Sequence, residues 1–218
     1  MNDKLSAFYF SEPFSENYWA EILTEIYTDR VYAPYIEGKN LKTCLEIGAN
    51  VGLAAYYFSK HFDKVYSLEP ALEHYTALTA MLEYNKITNV EPFKLALSTR
   101  DGEALFFHRV LNKTMYSLRP EMPTNDTEQV KTIQIGTFLR ENNIDHVDVL
   151  KLDCEGSEAD IVCHTSFQEN ADKIDMVFCE IHTWIGRNRS QLIDGFKMAG
   201  FTKITKIPNK ADLIICQR

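Results

Sequence analysis

The sequence is poor in the residues that mark fibrous, disordered or disulfide-linked proteins. With 9 glycines and 7 prolines among 218 residues, it has too few of either for a collagen-like or low-complexity chain. The cysteines are odd in number, lie in apolar runs and form no Cys-x-x-Cys pair, which is typical of reduced thiols in a protein core. They are Cys44, Cys154, Cys163, Cys179 and Cys216.

Long apolar runs and excess positive charge are also lacking. No run could span a bilayer, and the start, MNDKLSAFYF, does not have the pattern of a signal peptide. We therefore expect a cytoplasmic protein without a membrane partner. The net charge of -8 repels a phosphate backbone, so we also expect no nucleic-acid partner.

The first half of the chain alternates short apolar runs with helical patterns. The expected elements are a helix from 15 to about 35, then a strand, helix, strand, helix and strand at 43–47, 53–61, 65–68, 72–84 and 90–97. Such an order requires parallel strands joined by right-handed crossovers. The pattern therefore predicts an α/β fold.

The second half adds a hairpin-like insertion and an antiparallel ending. Its expected strands are 104–109, 130–135, 147–152, 174–181, 201–207 and 213–216, with helices at 137–142, capped by Thr137, and 190–198. We predict a Rossmann-like, doubly wound, mostly parallel seven-stranded sheet with an antiparallel C-terminal strand and an N-terminal helical cap. Residues 1–218 would form one domain, of which 1–40 are a helical extension.

The segment Leu45-Glu46-Ile47-Gly48-Ala49-Asn50-Val51-Gly52 predicts a ligand-binding loop between a strand and a helix. Glycines let the backbone turn tightly against a ligand, and we expect Gly48 and Gly52 to approach it most closely. Glu69 ends the next strand, where a carboxylate can accept both hydroxyls of a ribose. Glu46 suits an amino group better than a phosphate, which favours an amino-acid-bearing nucleoside over NAD.

A second group of acids follows a buried strand in VDVLKLDCEGSE. Strand alternation puts Lys151 and Asp153 on one face, and acids at such a position are costly unless they are paired or used. The purely structural interpretation is a Lys151 salt bridge with helix capping by Ser157 and Glu158. We expect Asp153 and Glu155 to be the functional acids.

A third group is Glu180 and His182 at the end of the following strand. His182 is a candidate general base, because its ordinary pKa lies near working pH, or else a structural histidine. Asp153, Glu180 and His182 also carry the atoms of a divalent metal site. Because carboxylates can pair with Lys151 or substrate instead, we predict no bound metal.

Several other side chains are candidates at the crevice. Trp19, Tyr116 and Trp184 would cover an apolar substrate or belong to the core. Arg187 and Arg189 would bind an anionic group or be solvated. The remaining histidines show no ligand spacing and are expected to be surface or core residues: His61, His74, His108, His146 and His164.

These segments resemble the FkbM-type family of class I S-adenosylmethionine-dependent methyltransferases. LEIGANVG, SLEP and VDVLKLDCEGSE occur in the family's order, and the resemblance covers roughly residues 43 to 182. It implies S-adenosylmethionine as cofactor. The implied contacts are Glu46, Gly48, Ala49, Asn50 and Gly52 for the methionine and ribose, Glu69 and Pro70 for the ribose hydroxyls, Leu97 or Ser98 near adenine, and Asp153 and Glu155 facing the sulfonium.

The expected activity is O-methylation of a hydroxyl on a small-molecule or glycan acceptor, with Asp153, Glu155, Glu180 and His182 as catalytic residues. His182 or Glu155 would accept the proton, and Glu180 would orient the acceptor. The alternatives are a non-catalytic S-adenosylmethionine-binding module and an NAD-dependent oxidoreductase. The sequence predicts neither the acceptor's identity nor the oligomeric state.

Overall fold

A computed structural model of the chain describes residues 16–108, 116–119, 126–182, 189–208, 210 and 212–218, with side chains from Trp19 onward. The helices are α1 (Glu16–Leu23), α2 (Ala33–Ile36), α3 (Leu53–Phe58), α4 (Leu72–Tyr84), α5 (Ile135–Glu141), α6 (Glu158–Cys163), α7 (Thr165–Gln168) and α8 (Arg189–Met198), with a π-helical turn at Thr24–Thr28 and a 3-10 turn at Ala171–Lys173. The strands are β1 (Leu41–Ile47), β2 (Phe62–Leu68), β3 (Val90–Phe93), β4 (Ala96–Leu97), β5 (Gly102–Phe107), β6 (Thr127–Ile133), β7 (Val147–Leu152), β8 (Ile174–Glu180), β9 (Lys203–Lys206) and β10 (Leu213–Gln217).

Within these ranges, seven strands form one sheet in the order β3-β2-β1-β7-β8-β10-β9. The strands β3, β2, β1, β7 and β8 pair in parallel, and β10 runs antiparallel to both β8 and β9. The strand order reverses between β1 and β7, where doubly wound sheets open a crevice at the carboxyl ends of their strands. The predicted fold class is confirmed.

The sheet is covered on both faces, as the apolar side chains of β7 show. Val149 belongs to the apolar cluster that includes residues of α1, α3 and α4. Leu150 and Leu152 belong to the cluster on the other face, which includes residues of α5, α6 and α8. A parallel strand buried on both faces needs apolar side chains on each of them. No helix in the described part of the chain is long and apolar enough to cross a membrane.

The insertion is confirmed, but the expected strand at 90–97 is wrong. β5 pairs antiparallel with β6, and the chain that forms β3 leaves the large sheet so that Ala96 and Leu97 can pair with β6. β3 is an edge strand that contains Pro92. Because proline has no N–H to donate, it favours such an edge and does not extend the ladder.

The continuous helix expected from 15 to about 35 is also wrong. After α1 the chain forms the π-helical turn, and Arg30 then adopts a left-handed φ of 54°. A new short helix, α2, begins around Pro34. A proline ring clashes inside a helix but is tolerated in its first turn, so Pro34 favours a restart. Ser15, the expected cap, lies outside the described residues.

The helix expected to begin at Thr137 begins at Ile135, and Thr137 is not its cap. Asp101 takes the capping role from outside the helix, since its carboxylate accepts the Gln134 N–H at 2.7 Å and the Thr137 hydroxyl at 2.9 Å. These hydrogen bonds, first the one from the Gln134 backbone, lower the pKa of Asp101. Asp101 lies 33 residues from Gln134 in sequence, so no local pattern indicates this cap.

Replacing Gly48 by alanine is expected to destabilise the fold severely. A Cβ at Gly48 would lie 1.8 Å from the carbonyl oxygen of Asp153, whereas a Cβ at Gly38 would have no neighbour within 4 Å. Both glycines have a similar positive φ, 74° and 76°, so both substitutions cost about 1–2 kcal/mol of backbone strain. Only Gly48→Ala should lose several kcal/mol more.

Urea denaturation of the two variants measures this difference as the free energy of unfolding. Gly38→Ala is the matched control, because it shares the backbone conformation without the close approach. Equal losses in the two variants would contradict the claim that the approach of Gly48 to Asp153 requires a glycine.

Candidate active site

The predicted site residues come from four strands whose carboxyl ends meet at one edge of the sheet. Glu46 lies at the end of β1, Glu69 follows β2, Asp153 follows β7 and Glu180 ends β8. The parallel pairing of β2, β1, β7 and β8 aligns these ends. The structure therefore brings together acids that are more than 130 residues apart in sequence.

The loop after β1 is held against the end of β2. The N–H groups of Gly48 and Ala49 both donate to the carbonyl oxygen of Leu68 at 3.0 Å. Asn50 has a positive φ of 52°, and its N–H donates to Oε2 of Glu69 at 2.8 Å. The acid expected to bind a ribose thus also fixes the neighbouring loop.

Gly52 faces a helix. Its φ is 92°, and a Cβ there would lie 2.4 Å from a side-chain atom of Met81 and 2.6 Å from one of Leu78 on α4. Gly52 lines neither of the two cavities described below. Glycine is therefore required at position 52 by the packing of α4 and not by a cavity. Gly48, by contrast, lines both cavities.

A narrow cavity of about 60 Å³ lies beside the end of β2. Its wall includes Gly48, Asn50, Glu69, Pro70, His74, Leu97, Tyr116, Asp153 and Glu155. Glu69 is buried and accepts the Ala71 N–H at 2.9 Å through Oε1. Ser98 does not line this cavity, and its N–H donates to the carbonyl oxygen of Ile133.

A larger cleft of about 530 Å³ lies between α1 and the same sheet edge. Its wall includes Trp19, Glu25, Tyr32, Glu46, Ala49, Lys151, Glu180 and Lys210. Gly48, Asn50, Asp153 and Glu155 line both the cleft and the narrow cavity. These four residues therefore form a shared wall between the two cavities.

Glu46 is fully buried at the base of the cleft. Its Oε2 accepts the Ser67 hydroxyl at 2.6 Å, and its Oε1 has no hydrogen-bond partner in the described structure. Burial raises the pKa of Glu46 to about 7, against the lowering effect of Lys151 and the Ser67 hydroxyl. A buried carboxylate oxygen without a donor is costly, so this atom fits a cationic donor on a ligand.

Lys151 joins the two principal loops. Its Nζ donates to the carbonyl oxygen of Gly48 and to Oδ2 of Asp153, both at 3.1 Å. Burial is the largest single influence and opposes its charge, but Asp153, Tyr32 and Glu46 together outweigh burial and raise the pKa of Lys151. The Lys151–Asp153 salt bridge weighed from the sequence is therefore present, and it fixes the functional loops in place.

His182 lies among acids. Its Nδ1 donates to Oε1 of Glu158 at 2.8 Å, and its Nε2 lies 3.4 Å from Oε2 of Glu155 and 3.9 Å from Oδ1 of Asp153. Burial opposes the charged form, but Glu158, Glu155 and Asp153 outweigh burial and raise the pKa of His182 to about 10. The role of His182 as a general base stays a prediction, and its short contact with Glu158 also fits the alternative of a structural histidine.

The neighbouring carboxyl groups have pKa values above those of ordinary carboxylic acids. Burial, with Asp153 and Glu180 adding to it against the lowering effect of His182, raises the pKa of Glu155 to about 8. The charge of Asp153, followed by burial, raises the pKa of Glu180 to about 7. Carboxyl groups therefore crowd one another at this end of the site.

The structure adds residues that the sequence analysis did not place at the site. His74 on α4 has its Nδ1 3.7 Å from Oε1 of Glu69 and stacks on Tyr116 with ring centroids 4.7 Å apart. Lys210 bridges Glu25 and Asp29 at 3.0 and 3.3 Å. The stacking of His74 on Tyr116 and the ion pairs of Lys210 join distant segments, so spacing along the chain gives no signal for them.

The other sequence candidates are divided between the cavities and the rest of the chain. Trp19 lines the cleft and Tyr116 the narrow cavity, and both are buried. Arg189 lies 3.9 Å from Asp212. Trp184 and Arg187 lie outside the described residues.

A doubly wound sheet with acids at the ends of its strands is the arrangement of a nucleoside-cofactor enzyme. The family model for the methyltransferase FkbM domain matches residues 46–202. The chain belongs to the FkbM family of S-adenosylmethionine-dependent methyltransferases. The predicted family, cofactor and enzyme class are thereby confirmed, and the NAD-dependent alternative is set aside.

Individual proteins and structures agree with this assignment. The chain is 24% identical over 180 residues to "Methyltransferase 1" of Beauveria bassiana, covering 72% of this chain and 71% of that protein. A crystal structure of methyltransferase FkbM from Methylobacillus flagellatus superposes with a TM-score of 0.58 and 11% identity over 85% of this chain, which spans only 45% of that structure. An S-adenosylmethionine-dependent methyltransferase from Aquifex aeolicus gives a TM-score of 0.51 and 12% identity, over 93% of this chain and 97% of that one.

Proposed function

We propose that this enzyme methylates a hydroxyl oxygen on a small molecule or glycan. The observation that supports this proposal is the acid-rich shared wall between the two cavities. Gly48, Asn50, Asp153 and Glu155 line both spaces, so a cofactor held in one cavity would present its reactive end to an acceptor in the other.

The residues present fit S-adenosylmethionine, which supplies a methyl group on a cationic sulfonium when bound. The narrow cavity would hold the adenosine, with Glu69 accepting the ribose hydroxyls and Leu97 against the base. The unpartnered Oε1 of Glu46 would accept the ammonium of the methionine part. Asp153 and Glu155 would face the sulfonium, where negative groups stabilise positive charge.

The narrow cavity is too small for an adenosine as it stands. Its volume is about 60 Å³, whereas pockets for ligands of this size hold about 300 Å³ or more. Tyr116 lines this space and stacks between His74 and His108. Adenosine binding therefore requires wall side chains such as Tyr116 to move outward.

The acid-rich wall favours oxygen over nitrogen as the atom that is methylated. Carboxylates stabilise an amine in its ammonium form, and an ammonium nitrogen has no lone pair with which to attack a methyl group. A hydroxyl is neutral in the same surroundings and keeps its lone pairs while donating a hydrogen bond to a carboxylate. An anionic acceptor would be repelled by whichever of Glu46, Asp153, Glu155 and Glu180 are ionised.

Glu180 is the residue best placed to take the hydroxyl proton. It ends β8, lines the cleft, and its side chain is 44% exposed, compared with 9% for His182 and 17% for Glu155. As the oxygen–methyl bond forms and the methyl–sulfur bond breaks, the hydroxyl proton would pass to this carboxylate. The chain then contributes orientation and a proton acceptor.

Replacing Glu69 by glutamine is expected to weaken binding of S-adenosylhomocysteine about 10- to 100-fold, because hydrogen bonds to a charged acceptor contribute about 1.5–3 kcal/mol. Calorimetry with S-adenosylhomocysteine and with its 2′-deoxy analogue separates this contact from the effect of Glu69 on the Asn50 loop. The wild type should prefer the hydroxylated ligand, and Glu69→Gln should lose that preference. A preference that survives in the variant would remove Glu69 from the ribose site.

Affinity for S-adenosylhomocysteine is expected to fall as the pH drops below about 7. Burial raises the pKa of Glu46 to about 7, so at lower pH a ligand ammonium must first displace the carboxyl proton, which costs up to about tenfold in affinity per pH unit. Above that pH the carboxylate is already ionised and the dependence should disappear. Glu46→Gln is the control, since its titration curve over the same range should be flat by calorimetry. A flat wild-type curve would argue against the Glu46–ammonium contact.

The proposed chemistry is tested with acceptors that share one scaffold and differ only in carrying a hydroxyl, an amine or a carboxylate. We expect methylation of the hydroxyl, measured as release of S-adenosylhomocysteine and by mass of the product. Glu180→Gln should lower kcat about 100-fold or more without weakening binding of S-adenosylhomocysteine. Asp175→Asn, an exposed acid on the same strand, should retain wild-type kcat. Preferred methylation of the amine would overturn the proposal.

A further inference from the structure

We propose that Asp153, Glu155 and His182 bind a divalent cation of the Mg²⁺ or Mn²⁺ type beside the shared wall. The sequence-based expectation was that no metal binds, because the carboxylates could pair with Lys151. In the structure only Asp153 among these acids has a hydrogen bond to Lys151 within the described ranges. The role of the cation in catalysis rests on the proposed function, whereas its binding does not.

The three side chains have the spacing of ligands around one ion. One ligand atom from each lies within 4.8 Å of the other two. Nε2 of His182 is 3.4 Å from Oε2 of Glu155 and 3.9 Å from Oδ1 of Asp153. Ligands about 2.1 Å from a shared cation lie about 3.0 Å apart when adjacent and about 4.2 Å apart when opposite, so both distances fall in this range.

The orientation of the imidazole ring also fits a metal ligand. Its Nδ1 donates to Oε1 of Glu158, which is buried and accepts the N–H groups of Cys154 and Gly156 at 3.0 and 3.2 Å. A carboxylate that fixes one ring nitrogen while the other points at an ion is the usual arrangement of a metal-bound histidine. Glu158 is therefore the residue that directs Nε2 toward Asp153 and Glu155.

A simple ion pair does not explain the same geometry. Nδ1 of His182 makes a short contact of 2.8 Å to Glu158, but Nε2 stays 3.4 and 3.9 Å from Glu155 and Asp153, which is beyond good hydrogen-bond distance. Oε2 of Glu155 is buried and has no hydrogen-bond partner in the described part of the chain. A cation between these atoms would coordinate Oε2 of Glu155, Oδ1 of Asp153 and Nε2 of His182 at once.

The set of ligand atoms and the local charge point to the class of ion. Two carboxylates and one imidazole, with oxygen in the majority and no thiolate, suit Mg²⁺ or Mn²⁺. Glu180 brings a further carboxylate to 3.9 Å from Nε2 of His182, so the surrounding acids would stabilise a bound cation. A cation at this position would hold the acceptor hydroxyl and lower its pKa, with Glu180 receiving the proton.

The test is direct binding of Mn²⁺ to chelator-treated full-length protein. Electron paramagnetic resonance of free Mn²⁺ should reveal one site on the wild type, and Mn²⁺ should raise its Tm. Glu155→Gln removes a proposed ligand and should weaken Mn²⁺ binding at least tenfold. Glu158→Gln removes no ligand but should weaken binding by at least as much, because Glu158 orients His182. His146→Gln is the matched control, because His146, Asp148 and Asp175 form a second, more exposed histidine–acid cluster in the described structure.

The outcomes separate this proposal from the proposed function. No Mn²⁺ binding below millimolar concentration, or binding lost in His146→Gln and kept in Glu155→Gln, would overturn the cation site. Hydroxyl methylation that is unchanged by EDTA would overturn the role of the cation and leave O-methylation standing. Mn²⁺ binding by a protein that does not methylate hydroxyls would support the site and overturn the proposed function.

Discussion

The site depends on the close approach of the loops that follow β1 and β7. Gly48 lies so near the Asp153 carbonyl that a methyl group at Gly48 would overlap that oxygen. The Nζ of Lys151 bonds both the Gly48 carbonyl and the Asp153 carboxylate. Strand β1 is thereby locked to β7 where the strand order reverses. A larger residue at 48, or an uncharged one at 151, would separate the two loops that form the shared wall.

That junction concentrates acids, and the surrounding contacts decide what each acid does. Glu158 is held by two backbone N–H groups and by His182, so it orients other groups and does not reach the cleft. Glu180 opens onto the cleft. Glu155 lies between them, with one oxygen buried and without a donor in the described chain. The carboxylates of Asp153, Glu155, Glu158 and Glu180 therefore differ in what they can bind, because their partners differ.

The sequence predicted the sheet and the ends of its strands well, because both follow from local patterns. Buried parallel strands are apolar runs, and polar residues that follow them lie at one edge; hence Glu46, Glu69 and Asp153 were found. The raised pKa of His182 was not predicted, since it depends on Glu158, 24 residues away in sequence. Contacts such as Asp101 with Thr137 depend on the folded chain as well. Periodicity and spacing carry no information about such pairs.

The two cavities are coupled through backbone conformations that are unfavourable in isolation. Asn50 and Glu155, both on the shared wall, have positive φ values of 52° and 51° without being glycine. Each is held by a hydrogen bond: Glu69, on the wall of the narrow cavity, accepts the Asn50 N–H, and the Ser117 hydroxyl, next to that wall in sequence, donates to the Glu155 carbonyl at 2.6 Å. Strained residues persist only where their surroundings fix them. The shape of the shared wall is therefore set in part by groups at or beside the narrow cavity.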